Sequence, residues 1–374
     1  MPKNVVICCD GTGNEFSDTN SNVVKLYSTL VIDASQAGYY HPGVGTMGAP
    51  TARGWFEKQW TKATGLAFGA GLLSNVGDAY RYLMNTYNDG DSVFLFGFSR
   101  GAYTVRALAG MLHMYGLLHA GNDSLIPYIT RMFAECHTRE SAMADTFEVA
   151  HNFKWTYSRD CQVHFAGLWD TVSSVGWITD PLVLPYSARN PILHTVRHAI
   201  STEERRCYFQ SNRFGAPYPH QDIQQVWFYG VHSDVGGSYP EKESGLSKVA
   251  LEWMLVEAKT AGLHIDPVKA NIVLGRHRKP NSWMPDYVEP NPSAAQHESL
   301  RGAWWIAEYL PHRYVDTSGG KPRVRWEIPR GQWWRPIPEG SLICESVFEG
   351  QPGVNPKRLP ETYTRVSTVT YPPA

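Results

Sequence analysis

Short apolar runs alternate with stretches of helical periodicity over the first 260 residues or so, and this texture changes near residue 263. Residues 5–9 (VVICC) are a continuous apolar run closed by Asp10 and Gly11, which predicts a buried strand. Residues 65–87 carry Leu66, Leu73, Val76, Tyr80, Leu83 and Met84 at helical spacing and predict a helix loosened by its glycines. A second buried strand is expected over 92–96, followed without a spacer by a strongly apolar helix over 100–118. A third strand is expected over 162–167, a fourth over 225–228, and an amphipathic helix over 246–261. Between the last two strands, Ser201-Thr202-Glu203-Glu204 reads as a capping box, with Ser201 and Glu204 satisfying the first free amides of a helix. Strands alternating with helices predict an α/β protein with a mainly parallel sheet flanked by helices.

Beyond residue 262 the pattern gives way to Trp283, Trp304, Trp305, Trp326, Trp333 and Trp334 among many prolines. The expected organisation is therefore a catalytic core over 1–262 and an irregular aromatic, proline-rich C-terminal extension over 263–374 that packs on it. That extension and the loop 176–190 (GWITDPLVLPYSARN) are candidates for a lid or an acyl-binding wall, with ordinary packing across the sheet as the plainer reading. The chain has no internal repeat and no low-complexity tract.

Charge adds little: 34 basic against 35 acidic residues leave a net charge of -1, with no electrostatic reason to invoke nucleic acid. The six cysteines are scattered without a C-x-x-C pair or zinc spacing, which suits a reducing compartment. The start MPKNVVICCDGT enters a strand without a signal-peptide pattern, and no stretch reaches the length of a membrane-spanning helix. Synthesis as a soluble cytoplasmic protein is expected, and export by a signal-independent machine stays open. Oligomeric state is not legible.

The chemistry concentrates in SVFLFGFSRGAYTVRALAG, residues 92–110, where Gly97-Phe98-Ser99-Arg100-Gly101 is a G-x-S-x-G between an apolar strand and an apolar helix. A nucleophile elbow needs that context: small flanking residues allow a sharp turn that lifts the serine hydroxyl above the sheet. The bare pattern is common, so its placement and its downstream partners carry the argument. A serine needs a base, and the base an orienting acid, in the chain order Ser, Asp or Glu, His. Asp170, in GLWDTVSSVG after the third strand, is the expected acid, with a turn cap through Thr171 or Ser173 as its plainer role. His232, in WFYGVHSDVGGSY after the fourth strand, is the expected base; His41, His198 and His220 lack that setting. Asp234, two residues after His232, is a second candidate acid ranked behind Asp170. Gly11 or Thr12, after the first strand, and Arg100, after the serine, are the expected oxyanion-hole amides. Asp10 is then a loop organiser that accepts hydrogen bonds from the GTGN turn or the Ser233-Asp234 segment.

Other chemistries fit less well. The opening DGT resembles an aspartyl-phosphate phosphatase signature, but Cys8 stands where that nucleophilic aspartate belongs, and a thiol cannot take over its role. Asp10, Asp234 and His232 could instead converge on a metal for phosphoester hydrolysis. The segments DGTGN and PGVGTMG lack the lysine or spacing of a phosphate cradle and read as turns. A non-catalytic binding protein on the same fold is the third alternative.

Together CCDGTGN, GFSRGAY, GLWDTVSSVG, HAISTEERR and VWFYGVHSDVGGSYPE, spread over about residues 3–262, resemble a family of α/β-hydrolase-like proteins from bacteria and fungi. That family includes the phospholipase effectors of type VI secretion systems. Ser173 and Ser238 depart from the glycines common in relatives, and residues 263–374 resemble nothing identified. The resemblance implies a serine esterase or phospholipase with Ser99, Asp170 and His232 at the family's triad positions. It implies no cofactor, a lipid or small-ester substrate, and, for a lipid, transient contact with a membrane surface.

Overall fold

The computed structural model describes residues 2–11, 19–43, 65–136, 143–172, 176–177, 180–181, 184–277, 285–302, 304–316, 323–350 and 353–373. Eight strands form one sheet: β1 (Asn4–Cys9), β2 (Gln36–His41), β3 (Ser92–Phe98), β4 (Val163–Trp169), β5 (Leu193–Ser201), β6 (Asp222–Phe228), β7 (Ser341–Cys344) and β8 (Tyr363–Val366). Their order is β2-β1-β3-β4-β5-β6-β7-β8, and each neighbouring pair runs parallel. With helices on both faces this is the α/β-hydrolase-like architecture. The chain order reverses between β1 and β3, and open parallel sheets bind ligands at the carboxyl ends of strands beside such a switch.

Among the described residues the helices of five residues or more are α1 (Asn22–Thr29), α2 (Gly65–Thr86), α3 (Arg100–Tyr115), α4 (Ile126–Glu135), α5 (Met143–Tyr157), α6 (His232–Gly236), α7 (Gly245–Thr260) and α8 (Pro267–Val273). Because successive strand residues face opposite ways, β1 serves two cores. Val5, Ile7 and Cys9 pack with Tyr80 and Leu83 of α2 and with Leu108 and Leu112 of α3. Val6 and Cys8 pack with Leu26 of α1 and with Leu251 and Met254 of α7. This is why the first strand reads as apolar throughout: a parallel strand covered on both faces has no polar side. Burial pushes the Cys9 thiol up to about 12 and the Cys8 thiol up as well, so both behave as small apolar side chains. Among the described residues no helix is long and apolar enough to cross a membrane.

Several elements depart from the sequence reading. The helix expected to reach 118 ends at Tyr115, and Leu117–Leu118 pairs instead with Ser158–Arg159. The capping box at 201–204 does not form: Ser201 is the last residue of β5, and Thr202 to Arg206 are not helical. Its polar groups have other partners, since the Ser201 hydroxyl turns to Asp170 and the Glu204 carboxylate accepts from Arg206 and Ser299. β5 has no strand signal in the sequence, because LHTVRHAIS carries Arg197 and His198 inside it. Arg197 is neutralised by Asp222 and Glu257, each at 2.6 Å, and burial pulls His198 down to about 3, so it is neutral. Nor is β6 the last core strand, because β7 pairs beside it through Val226 with Leu342 and Trp227 with Ile343. The segment beyond residue 262 thus adds two strands to the central sheet, and Ile337, Ile343 and Val347 pack on Ile200 and Trp227.

Two constraints fix the helices that flank the site. Glu241 lies 2.8 Å from Lys25 of α1 and 2.6 Å from Lys248 of α7, all three buried. Burial pulls the Lys248 ammonium down to about 7. At the β3–α3 turn, a Cβ on Gly101 would meet the Cys9 carbonyl oxygen at 2.1 Å, and one on Gly97 would meet the Ala102 backbone at 2.6 Å. Glycine is required at both because the helix folds back onto its own strand while the end of β1 presses on its first turn.

Glu241→Gln should destabilise the fold by about 3 kcal/mol in urea titration, the lower end for an orphaned buried ion because Lys248 can shed its proton. Gly101→Ala should lower stability by about 1–3 kcal/mol in the same assay, as overpacking against a backbone atom does; an unchanged midpoint would show that β1 and α3 can part freely.

Candidate active site

Ser99 occupies the junction of β3 and α3 with φ 57° and ψ -120°, a conformation an L-residue adopts only when its surroundings impose it. The impositions are the glycine contacts above and the Ser99 amide, which donates to the Trp169 carbonyl of β4 at 3.0 Å. Asp170, the residue after β4, also has a positive φ of 40°, and its amide donates to the Ala199 carbonyl at 2.7 Å. His232 opens α6, four residues past the end of β6 in the chain. The Ser99 hydroxyl lies 2.8 Å from His232 Nε2, and His232 Nδ1 lies 2.5 Å from Asp170 Oδ2. All three side chains are buried. The imidazole is held between the rings of Phe98 and Phe209, at centroid distances of 4.7 and 4.9 Å.

The electrostatics assign protonation states. Burial pushes the Asp170 carboxyl up, but the Arg335 charge and the His232 hydrogen bond more than reverse this and hold it well below the usual carboxylate range. Asp170 Oδ1 accepts from Arg335 Nη1 at 2.5 Å and from the Ser201 amide at 2.9 Å, and Oδ2 faces His232 and the Ser201 hydroxyl. Burial pulls the His232 imidazole below its ordinary value despite Asp170, with Arg206 adding to the depression and Glu204 opposing it. A neutral imidazole beside an ionised carboxylate and a hydroxyl can accept the hydroxyl proton and pass it on.

The remaining sequence candidates have other roles. Asp10 accepts from the Gly11 amide at 2.7 Å, the Ser21 hydroxyl at 2.6 Å and the Tyr40 phenol at 2.9 Å, so it organises the loop after β1. The Gly11 amide is therefore engaged with Asp10, a bond that competes with the oxyanion role expected of it, and Thr12 lies outside the described residues. Arg100 is the first residue of α3, and burial pulls its guanidinium down to about 9. Asp234 turns away from His232: its carboxylate accepts from the Val231 and His297 amides, each at 3.1 Å, and lies 2.6 Å from His297 Nδ1. Burial pulls His297 down, and its bonds to Asp234 and Glu243 outweigh this and raise it. Of the rival histidines, His41 Nδ1 faces the Gly43 amide, His198 Nε2 accepts from the Thr171 amide, and His220 Nε2 faces the Pro191 carbonyl. Among the described residues, His, Cys, Asp and Glu side chains form no group of three that could hold a metal ion, so the metal alternative gains no support there.

Sequence reasoning missed Arg335, Ser201, Glu204 and Phe209. Glu204 is buried, accepts from the His232 amide at 3.2 Å, and is held at about 2: burial raises it and the Arg206 charge and bond prevail. It was visible in HAISTEERR but misread as a helix cap. Arg335, in GQWWRPIPEG, had no sequence signal at all. Within the loop 176–190, residues 178–179 and 182–183 lie outside the described residues. The loop's later part is tied to α3: the Leu184 amide donates to Tyr103 and Arg106 Nε to the Ser187 carbonyl. In the C-terminal segment Trp304 packs on Phe209 at 5.3 Å, while Trp305, Ile306, Tyr309 and Trp326 are exposed.

Comparison with known proteins relates this architecture to others. The uncharacterized protein YEL023C of Saccharomyces cerevisiae is 35% identical over 229 residues, which cover 58% of this chain and 33% of that protein; the match thus spans about a third of its length. Among solved structures, an uncharacterized protein from Pseudomonas aeruginosa aligns with 71% of this chain and 46% of its own at 20% identity and a TM-score of 0.43. The Tle1 effector, solved bound to the VgrG spike of the type 6 secretion system, aligns over 98% of this chain and 94% of its own at 13% identity and a TM-score of 0.42. The family described as "T6SS, Phospholipase effector Tle1-like, catalytic domain" matches residues 3–257, more than half of the sequence, a stretch that runs from β1 into α7 and carries Ser99, Asp170 and His232; the chain belongs to that family.

Proposed function

We propose that the protein is a serine hydrolase that cleaves carboxylic esters of phospholipids. The observation that carries this reading is the hydrogen-bonded chain from the Ser99 hydroxyl through His232 to Asp170 on a strand-turn-helix elbow. Phospholipid as the ester class rests on the description of the family. In the first half-reaction His232 Nε2 takes the Ser99 proton as Oγ attacks the ester carbonyl, and Asp170 holds the imidazole and balances the charge it gains. The developing oxyanion is met by the Arg100 amide at the first turn of α3, with Gly11 or Thr12 as the second expected donor. His232 then gives its proton to the departing alcohol, leaving Ser99 acylated. Water, deprotonated by the same imidazole, releases the fatty acid and restores the serine. None of these steps needs a metal or a cofactor.

Residues 1–262 supply nucleophile, base and acid in this reading, while 263–374 complete the sheet and the surroundings of the acid. The exposed Trp305, Ile306, Tyr309 and Trp326 suit contact with a lipid phase during turnover.

Fatty-acid release from phosphatidylglycerol and phosphatidylethanolamine vesicles, and from p-nitrophenyl esters, should fall by about 10³-fold or more in Ser99→Ala, which should also lose labelling by a fluorophosphonate probe. Full turnover in that variant would refute the serine mechanism and revive metal-assisted hydrolysis, which chelator would then abolish. Since His232 acts as a base only when neutral and its proton affinity lies below the ordinary value, kcat/KM should rise with pH along a limb centred below pH 6.5 and level off by neutrality. A limb centred above pH 7 in a profile from pH 4.5 to 8.5 would contradict the assigned base.

A further inference from the structure

The acid of the site is held by a residue outside the matched catalytic region. Arg335 lies in the run that leads into β7, beyond the residues matched by the family. Its backbone amide donates to the Glu204 carbonyl at 3.3 Å, and its side chain is 1% exposed. Nη1 donates to Asp170 Oδ1 at 2.5 Å, to the Ser201 hydroxyl at 2.6 Å and to the Ser201 carbonyl at 3.3 Å, and Nη2 donates to the Phe209 carbonyl. Phe209 in turn sets its ring against the His232 imidazole. One planar guanidinium thus fixes both the carboxylate that orients the imidazole and the backbone of a residue that packs against it, a fork geometry that a lysine ammonium cannot reproduce.

The consequence is a division of labour between the two carboxylate oxygens. Oδ1 serves Arg335 and the Ser201 amide, which leaves Oδ2 facing His232 Nδ1. Rotating the carboxylate would break both sets of contacts, and the positive φ at Asp170 persists because this network over-determines it. We propose that Arg335, supplied by the C-terminal segment, is the positioning residue of the site: it fixes the Asp170 carboxylate in the rotamer that orients His232, so the competence of Ser99 depends on residues beyond 262.

This inference rests on the serine mechanism above and adds a dependence that mechanism does not require. Around the Asp170–His232 pair stand Glu204 and Arg206, which are ion-paired at 2.9 Å, neutral His198 with Arg106 behind it, Asp234 paired to His297, and Arg335. Removing the Arg335 charge raises the proton affinity of the pair whichever member takes the proton, so the acid limb must move to higher pH.

The test compares wild type, Arg335→Gln and Arg335→Lys in full-length protein, with folding checked by thermal melting. Arg335→Gln should shift the acid limb of kcat/KM upward by about one pH unit or more and lower kcat by up to about 10²-fold with little change in KM. Arg335→Lys keeps the charge but loses the fork, so the limb should stay in place while kcat still falls. A purely structural arginine would change the melting temperature and leave kcat of the folded Arg335→Lys variant where it is. A wild-type limb and kcat in folded Arg335→Gln would overturn the proposal; if that variant does not fold, unchanged kcat in Arg335→Lys would do so. Fluorophosphonate labelling of the wild type at Ser99 separates the two layers: without labelling the serine reading fails, whereas labelling with indifferent Arg335 variants sinks only the positioning role.

Discussion

A carboxylate without solvent contact is costly to ionise, and the architecture of this protein around its site is largely the means of keeping Asp170 ionised. Burial of an anion carries a penalty of several kcal/mol even after relaxation. The Ser201 amide and hydroxyl, the His232 imidazole and the Arg335 guanidinium together outweigh it. Each arrives from a different part of the chain: Ser201 from the end of β5, His232 from the loop after β6, Arg335 from the approach to β7. The parallel sheet makes the meeting of Asp170, Ser201 and His232 natural, because it brings the carboxyl ends of β4, β5 and β6 to one rim, and Arg335 reaches that rim from a run that precedes the amino end of β7.

The same rim explains the strain concentrated there. Ser99 and Asp170, on neighbouring strands, both have positive φ, and both are held by a backbone bond to the adjacent strand. Strain of this kind persists only where the surroundings are rigid, and the glycines at 97 and 101 are the sites where that rigidity is paid in lost side chains. Around this inner layer stands a second one of charges: Glu204 bonded to the His232 amide, Arg206 and Ser299, and Asp234 bonded to His297. Ser299, His297 and Arg335 all belong to the segment beyond residue 262. That segment therefore touches the site at three points as well as extending the sheet, which goes further than the covering layer its composition suggested.

What could be read early is what short-range patterns encode. A strand that is apolar on both faces, a G-x-S-x-G between strand and helix, and an aspartate and a histidine just past the ends of later strands are local features; the hydrogen-bonded chain from Ser99 through His232 to Asp170 is not. The local rules failed where tertiary partners took over a local signal. Ser201 and Glu204 have the spacing of a helix cap, but a buried acid and a buried arginine claim them first. The β5 strand hides behind an arginine and a histidine whose polarity is cancelled by neighbours distant in sequence. At Gly11 the competition is local instead: the amide expected for an oxyanion donates to the carboxylate of the adjacent Asp10.

The sequence by itself determined the α/β architecture and the strand-turn-helix setting of Ser99, because each depends on interactions within a few residues along the chain. Only the tertiary structure decided that Asp170 rather than Asp234 faces His232, that β7 and β8 belong to the central sheet, and that Arg335 secures the acid. The contacts of Asp170 and Asp234 join groups more than sixty residues apart, where compensation of a buried charge, and no local pattern, selects the partner.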